Sequence, residues 1–220
     1  MNRIADQMKS ASQLATEEIR KMIQQGTLEP DQRVSIELLA EELGVSRTPV
    51  REAMQRLEID GLVEVIPRIG VRVRTITTEE ASDVYLLKAA IEPLAARWAA
   101  ERSVAMVRQR LPPLLEQMQA AVEAAEVLYY AELVEQFHVA LIEAAQSSAL
   151  ADMWGVISSR VHRLRLLNLS QPGRLDTSLK HHRDLAAAVS TGDGDIAATT
   201  MTDHMRDAHE SALRAVASGS

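Results

Sequence analysis

Gly44-Val45-Ser46-Arg47-Thr48-Pro49-Val50-Arg51-Glu52-Ala53-Met54-Gln55-Arg56-Leu57 reads as a tight turn followed by an amphipathic helix. Ser46 suits the N-cap, and Pro49 falls in the first turn, where a missing N–H costs nothing. Val50, Met54 and Leu57 recur at helical spacing and face inward. Arg47, Thr48, Arg51 and Gln55 are left on the outer side. Side chains of these types reach phosphates and the major-groove edges of guanine and adenine. Taken alone, Arg47, Arg51 and Arg56 around Glu52 would be an ordinary solvated face, with Arg56 pairing to Glu52 one turn back. The flanking segments favour nucleic-acid reading.

Upstream, Ser12 to Gln25 carries a helical pattern through Leu14, Ile19 and Met22, with Gly26 as its stop. Leu28 to Arg33 reads as a turn-rich connection. Ser35 caps a short helix ending at Leu43, with Leu38, Leu39 and Ala40 available to pack. Downstream, the second helix of the pair runs to Asp60 and Gly61 closes it. Leu62 to Ile66 and Val71 to Arg74 then read as two strands joined by Pro67-Arg68-Ile69-Gly70. Three helices and a hairpin predict a winged helix-turn-helix over residues 1–76. In the hairpin, Arg68, Gly70 and Arg72 are the candidate nucleic-acid contacts.

A second domain is predicted over residues 77–220. Thr78, followed by Glu79 and Glu80, has the character of a helix N-cap. Beyond it no strand pattern occurs. Helical patterns cover 79–101, 112–126, 129–146, 148–168, 176–190 and 194–216, with breaks at Pro112-Pro113, Gln146 to Ser148, Gln171-Pro172-Gly173 and Gly192 to Gly194. The predicted fold class is therefore mainly α: a winged helix-turn-helix followed by an all-helical bundle. Composition agrees, since hydrophobic residues make up 46% of the chain but aromatics only 3%. Leu, Ala, Val and Met must fill the core, which favours helix packing over a β-sandwich.

The chain has no cysteine, which excludes disulfides, zinc ribbons and a thiol nucleophile. No apolar run approaches the roughly 20 residues that span a bilayer. Met1 to Ser10 lacks the apolar stretch of a signal peptide, so a cytoplasmic protein is expected. The net charge of −7 argues at first against a nucleic-acid partner. It is unevenly spread, however. Residues 1–76 hold 11 Lys and Arg against 12 Asp and Glu, and residues 77–220 hold 13 against 19. Arginines 47, 51, 56, 68, 72 and 74 concentrate in the nearly neutral part, and a local basic face matters more than the global sum.

Ser46 to Leu57, with Leu38-Leu39-Ala40 before it and Gly61-Leu62-Val63 after it, resembles the GntR family of bacterial transcription regulators. The helical remainder resembles that family's FCD class, named for the C-terminal domain of a fatty-acid-responsive regulator. The resemblance implies a homodimer on a palindromic double-stranded operator. It also implies a small-molecule effector, an organic acid by family expectation, held in the helical domain. Carried over by position, the DNA contacts fall on Ser46, Arg47, Thr48 and Arg51, with Gly70 at the wing tip. Two positions depart from the family pattern. Asp31 stands where glycine usually follows Pro30, and Arg68-Ile69 stands where Asn-Arg is commoner.

The six histidines acquire meaning from the same resemblance. FCD proteins often bind a metal through three histidines on separate helices and an aspartate one turn before the first. The matching positions are His138, His182 and His204. The stripes Tyr130, Val134, His138, Leu141 and Leu179, His182, Leu185, Ala186 place the first two on apolar faces. His204 has Met201 and Ala208 beside it; pattern alone does not separate it from His209, flanked by Met205 and Leu213. The aspartate position is Val134, which offers no donor atom; Glu135 points about 100° around the helix. Three neutral imidazoles still suit Zn²⁺ or a similar divalent ion, with weaker binding than an aspartate-bearing site. A metal-free pocket in which the imidazoles hold an anion is the alternative. Lys88, where the family often has arginine, and Arg160, on a helix with Arg163 and Arg165, are candidates to clamp an effector carboxylate.

Two competing functions follow from the same residues. One is a metal-dependent enzyme built on the helical half, although no metalloprotease helix, nucleophile elbow or P-loop accompanies the histidines. The other is a constitutive DNA-binding protein with no effector. Gly192-Asp193-Gly194-Asp195 has the look of a dinucleotide fingerprint, but it follows a helix rather than a strand. There it serves better as a helix end, with Asp193 or Asp195 capping the next helix.

Overall fold

The computed structural model describes residues 9–218 apart from Gln25, Gly26, Asp60 and Arg68. The Gly26 stop, the Asp60 helix end and the wing contact Arg68 therefore lie outside the described residues. The chain divides into two compact units between Thr75 and Ile76.

The first unit contains α1 (Ala11–Gln24), β1 (Arg33–Val34), α2 (Ile36–Glu42), α3 (Arg47–Ile59), β2 (Val63–Ile66) and β3 (Gly70–Val73). Ser35 caps α2, its side chain accepting from Leu38 N at 3.3 Å. Gly44 takes φ 65°, the left-handed geometry that glycine adopts without a Cβ clash, and Val45 N–H reaches back to the Ala40 carbonyl at 3.0 Å. Val50, Ala53, Met54 and Leu57 are buried along one side of α3, against Ile19 of α1 and Leu39 of α2. Leu38, grouped with Leu39 and Ala40 as a packing residue, is instead 66% exposed, because it falls on the outer face of the short α2.

The sheet has three strands in the order β1-β3-β2, all antiparallel. The third is β1, at the end of the segment expected to be only a turn. Two residues are too few for a period-2 pattern, and Arg33–Val34 is recruited by pairing with Arg72 and Val71 of β3. Asp31, the departure from the family glycine, sits at φ 66°. Aspartate tolerates that left-handed conformation better than most residues, so the substitution leaves the turn intact. Its N–H donates to the Val73 carbonyl at 3.0 Å.

The second unit is helical, with no strand among its described residues: α4 (Thr78–Glu123), α5 (Val127–Ala144), α6 (Ser148–Leu169), α7 (Arg174–Ser190) and α8 (Gly194–Ser218). Helix α4 is the central element, packing against each of the other four. Its N-cap is Thr77 rather than Thr78: the Thr77 hydroxyl accepts from Glu80 N at 3.1 Å, and the Glu80 carboxylate accepts from Thr77 N at 3.4 Å. This reciprocal box needs Thr-x-x-Glu spacing, which only Thr77 has. Replacing Thr77 with alanine should cost about 1 kcal/mol. A drop of about 2–4 °C in the thermal midpoint of helical circular dichroism checks it.

The break expected at Pro112-Pro113 is absent. The helix runs through both prolines, held by burial of Val107, Leu111, Met118 and Ala121, and it bends at Ser103 instead, where φ is −144° and ψ is 37°. At the α7–α8 corner, Asp193 Oδ1 accepts from Asp195 N at 2.9 Å and Ile196 N at 3.0 Å, so Asp193 is the cap there.

Candidate functional site

In the first unit, Ser46, Arg47, Thr48, Arg51 and Gln55 are all exposed. Arg47, Arg51 and Gln55 succeed one another at i,i+4 and form a single outward stripe on α3, with Thr48 beside it. Arg47 Nη1 lies 3.3 Å from Glu37 Oε1, both side chains more than half exposed. Such a solvent-screened pair is weak and yields readily to a phosphate.

At the wing, Gly70 opens β3 with φ 113°, a conformation strained for any side chain. Arg72, a candidate nucleic-acid contact, is paired within the wing. Its guanidinium is clamped by its own sheet: Nη1 lies 2.9 Å from Asp31 Oδ1, and Nε donates to Glu64 at 2.8 Å. The β1 strand explains this, since it brings Asp31 alongside β3. Arg33, which the sequence reading passed over, donates from Nη2 to the Ile69 carbonyl at 2.6 Å and braces the wing turn. The register that pairs Arg33 with Arg72 is its only signal.

In the second unit, α5, α7 and α8 bring His138, His182 and His204 together, with one ring nitrogen of each within 4.8 Å of the others. The three side chains are 2%, 1% and 6% exposed. His209, the alternative to His204, points elsewhere: its Nε2 is 3.1 Å from Ser82 Oγ and its ring stacks on Tyr85. His182 Nδ1 donates to the Ser178 carbonyl one turn back at 2.7 Å, which leaves a lone pair on Nε2. That Nε2 and His204 Nδ1 are buried without a hydrogen-bond partner among the described residues. Buried polar atoms are nearly always satisfied, so unpartnered imidazole nitrogens converging on one point fit a divalent cation of the zinc class. Burial holds all three histidines below the ordinary value, well below it for His182 and His204, and so keeps them in the neutral form that ligation needs.

Val134 is buried and contributes no donor. The sequence reading missed a carboxylate on another helix. Glu92 of α4, 1% exposed, places Oε2 2.7 Å from His138 Nδ1, and its Oε1 lies 3.4 Å from Lys88 Nζ. Burial opposes ionisation of Glu92, but His138 and Lys88 beside it win and hold its carboxyl at about 2. Lys88 is itself 4% exposed, with Nζ 5.3 Å from the Tyr85 ring centre and 5.8 Å from that of Trp154. A signal was available: Lys88 and Glu92 are opposite charges four residues apart on the same buried stripe as Ala81, Tyr85 and Ala95.

Arg160 is exposed. Among the described side chains of α6, Arg165 is an inward arginine, five residues on and about 140° around the helix. It is 4% exposed and paired with Glu135, the carboxylate that lies around the helix from His138. Beside the cluster, α7 and α8 line a cleft of about 480 Å³ whose wall includes His204 together with Asp184, Asp203, Asp207 and Glu210. His204 belongs to both cleft and cluster.

Comparison with known proteins agrees with both halves of this arrangement. Residues 11–73 match bacterial regulatory proteins of the gntR family, and residues 83–207 match the FCD domain. The HTH-type transcriptional repressor RspR of Escherichia coli K12 is 28% identical over 190 residues, covering 86% of this chain and 81% of the repressor. The uncharacterized HTH-type regulator YdhC of Bacillus subtilis is 28% identical over 176 residues, covering 78% of this chain and 77% of YdhC. A GntR regulator structure from Rhodococcus sp. RHA1 shares the fold at TM-score 0.66 and 22% identity, covering 94% of this chain and 99% of that one. No described helix is long and apolar enough to cross a membrane. The chain belongs to the gntR family of bacterial regulatory proteins, in the group with an FCD domain, and is a DNA-binding transcriptional regulator of that type.

Proposed function

We propose that this regulator is a homodimer whose operator affinity is set by a divalent cation and a small organic anion in the helical domain. Residues 1–76 form the reading head, which lays the stripe Arg47, Thr48, Arg51 and Gln55 in a major groove, with Ser46 and Gly70 against the backbone. Residues 77–220 hold the ion on His138, His182 and His204. The observation that carries the reading is the convergence of three buried imidazoles, of which His182 and His204 carry unpartnered nitrogens. A bound cation would supply a fixed positive charge for anionic oxygens. Lys88 and the inward Arg165 approach from two other helices but are each paired with a carboxylate, Glu92 and Glu135, so the charge that favours an anionic effector is that of the bound ion. Arg160, exposed on α6, has no part in this reading. The cleft beside His204, walled by Asp184, Asp203, Asp207 and Glu210, suits the entry of a cation.

Exposed Leu87 and Leu94 at i,i+7 on α4, with Met153 and Val156 on α6, support dimerisation through the helical domain. Two heads on a palindromic operator double the bases read, which one small head needs for useful specificity. An effector that binds one arrangement of the helices better than another shifts operator affinity by that difference.

The test is a titration of DNA selected by the protein from a random duplex library. It is run in chelator, in Zn²⁺, and in Zn²⁺ with a panel of small mono-, di- and tricarboxylates, with sedimentation in parallel. The expected result is a dimer mass and an operator affinity that moves at least fivefold with at least one carboxylate in Zn²⁺. An affinity indifferent to ion and carboxylates would favour the constitutive alternative.

A further inference from the structure

Val134 removes the carboxylate that the resemblance leads one to expect at the ion site, and three neutral imidazoles alone would leave a buried dication with no anion near it. The structure answers this from a different helix. Glu92 approaches His138 from the side of Nδ1, at 2.7 Å, with both side chains 98% buried or more. A proton on Nδ1, facing this carboxylate, would leave the lone pair of His138 on Nε2. His182 is fixed the same way by the Ser178 carbonyl. A carboxylate behind an imidazole does more than a carbonyl: it fixes the ring and strengthens its donor nitrogen, while placing a negative charge one ring away from the cation. Lys88, 3.4 Å from the other oxygen, keeps Glu92 paired when no ion is bound.

The helix that carries Glu92 matters as much as its charge. His138, His182 and His204 stand on α5, α7 and α8. Glu92 stands on α4, whose first residue, Thr78, follows the first unit by two residues of chain. Glu92 lies 14 residues along that helix, about 21 Å from its start.

We propose that Glu92 is a positioning residue with two tasks. It supplies the negative charge missing at Val134, and through His138 it ties ion occupancy to α4, the helix that enters directly from the DNA-reading head. This inference rests on the metal reading above.

The experiment uses the full-length protein and Co²⁺ as the probe, with the d–d spectrum and isothermal titration as readouts. Glu92→Gln is expected to weaken Co²⁺ binding by about 10–100-fold. The variant Lys88→Met/Glu92→Gln, which leaves no unpaired buried lysine, is expected to weaken it to the same degree and to keep the helical circular dichroism of the wild type. Adding Val134→Asp to that variant returns an anion to the site on α5. It is expected to recover Co²⁺ affinity to within a few-fold of wild type without recovering the Co²⁺-dependent change in affinity for the selected duplex. Wild-type Co²⁺ affinity in the Lys88→Met/Glu92→Gln variant overturns the inference and leaves the metal reading standing. Recovery of the duplex response by Val134→Asp overturns the link through α4. A wild-type protein that takes up no Co²⁺ overturns the metal reading and this inference together.

Discussion

Arg47→Ala and Arg51→Ala are each expected to weaken operator binding by about 1–3 kcal/mol, five- to 150-fold, and to relax the sequence preference at the bases they face. The two side chains stand one turn apart on the exposed stripe of α3, and neither is held by a buried partner. The double variant should therefore fall close to non-specific affinity. It should also show a shallower dependence on salt, because fewer counterions are released when fewer arginines approach phosphates. Arg72→Ala should behave differently. Its guanidinium is committed to Asp31 and Glu64, so its loss should loosen the wing and leave base preference at the α3 positions unchanged. Titrations of the selected duplex at two salt concentrations separate these outcomes. Full affinity in both single variants would remove α3 as the reading element.

The second large effect is expected at the imidazole cluster. His182→Ala removes one of three convergent donors, and metal affinity should fall by more than about 100-fold. The same burial makes the ion-free helical unit sensitive to acid. His182 and His204 are held well below the ordinary histidine value by burial, and next by the neighbouring rings. In the unfolded chain they titrate at about 6.5. Between that value and their depressed folded values the unfolded chain binds more protons, so stability is complete above about pH 6.5 and declines as pH falls through it. Protons compete with the ion only once the folded rings themselves protonate, so metal affinity holds through this window and declines below it. Glu92, at about 2, stays ionised throughout. Urea midpoints at pH 7.5, 6.5 and 5.5 in chelator would reveal the slope. A flat response would mean that the three rings are not buried as neutral bases.

Much of this was legible in the chain because the period was strong or the spacing fixed. Val50, Met54 and Leu57 gave the inward face of α3, and the two apolar stripes gave His138 and His182. The rest depended on partners distant in sequence. Arg33–Val34 is a strand only because β3 lies beside it. Pro112 and Pro113 look like a break but sit in a helix that the core holds, while Ser103, where the bend occurs, carries no local signature. Arg165 and Arg160 lie on one helix, and only the packing of α6 decides which turns inward. Glu92 reaches His138 across 46 residues of chain, so its role is set by tertiary contact rather than spacing.

The bend at Ser103 has a mechanical consequence. A continuous helix carries a push or a twist from end to end, but a break in its hydrogen-bond ladder acts as a pivot. In α4 the pivot lies eleven residues beyond Glu92, on the side away from Thr78. The arm from Thr78 to Arg102, buried at Tyr85, Lys88, Glu92 and Ala96, and the arm from Val104 to Glu123, buried at Val107, Leu111 and Met118, are both seated in the bundle. Glu92 therefore shares its arm with Thr78, where the helix begins, and not with the far end of α4.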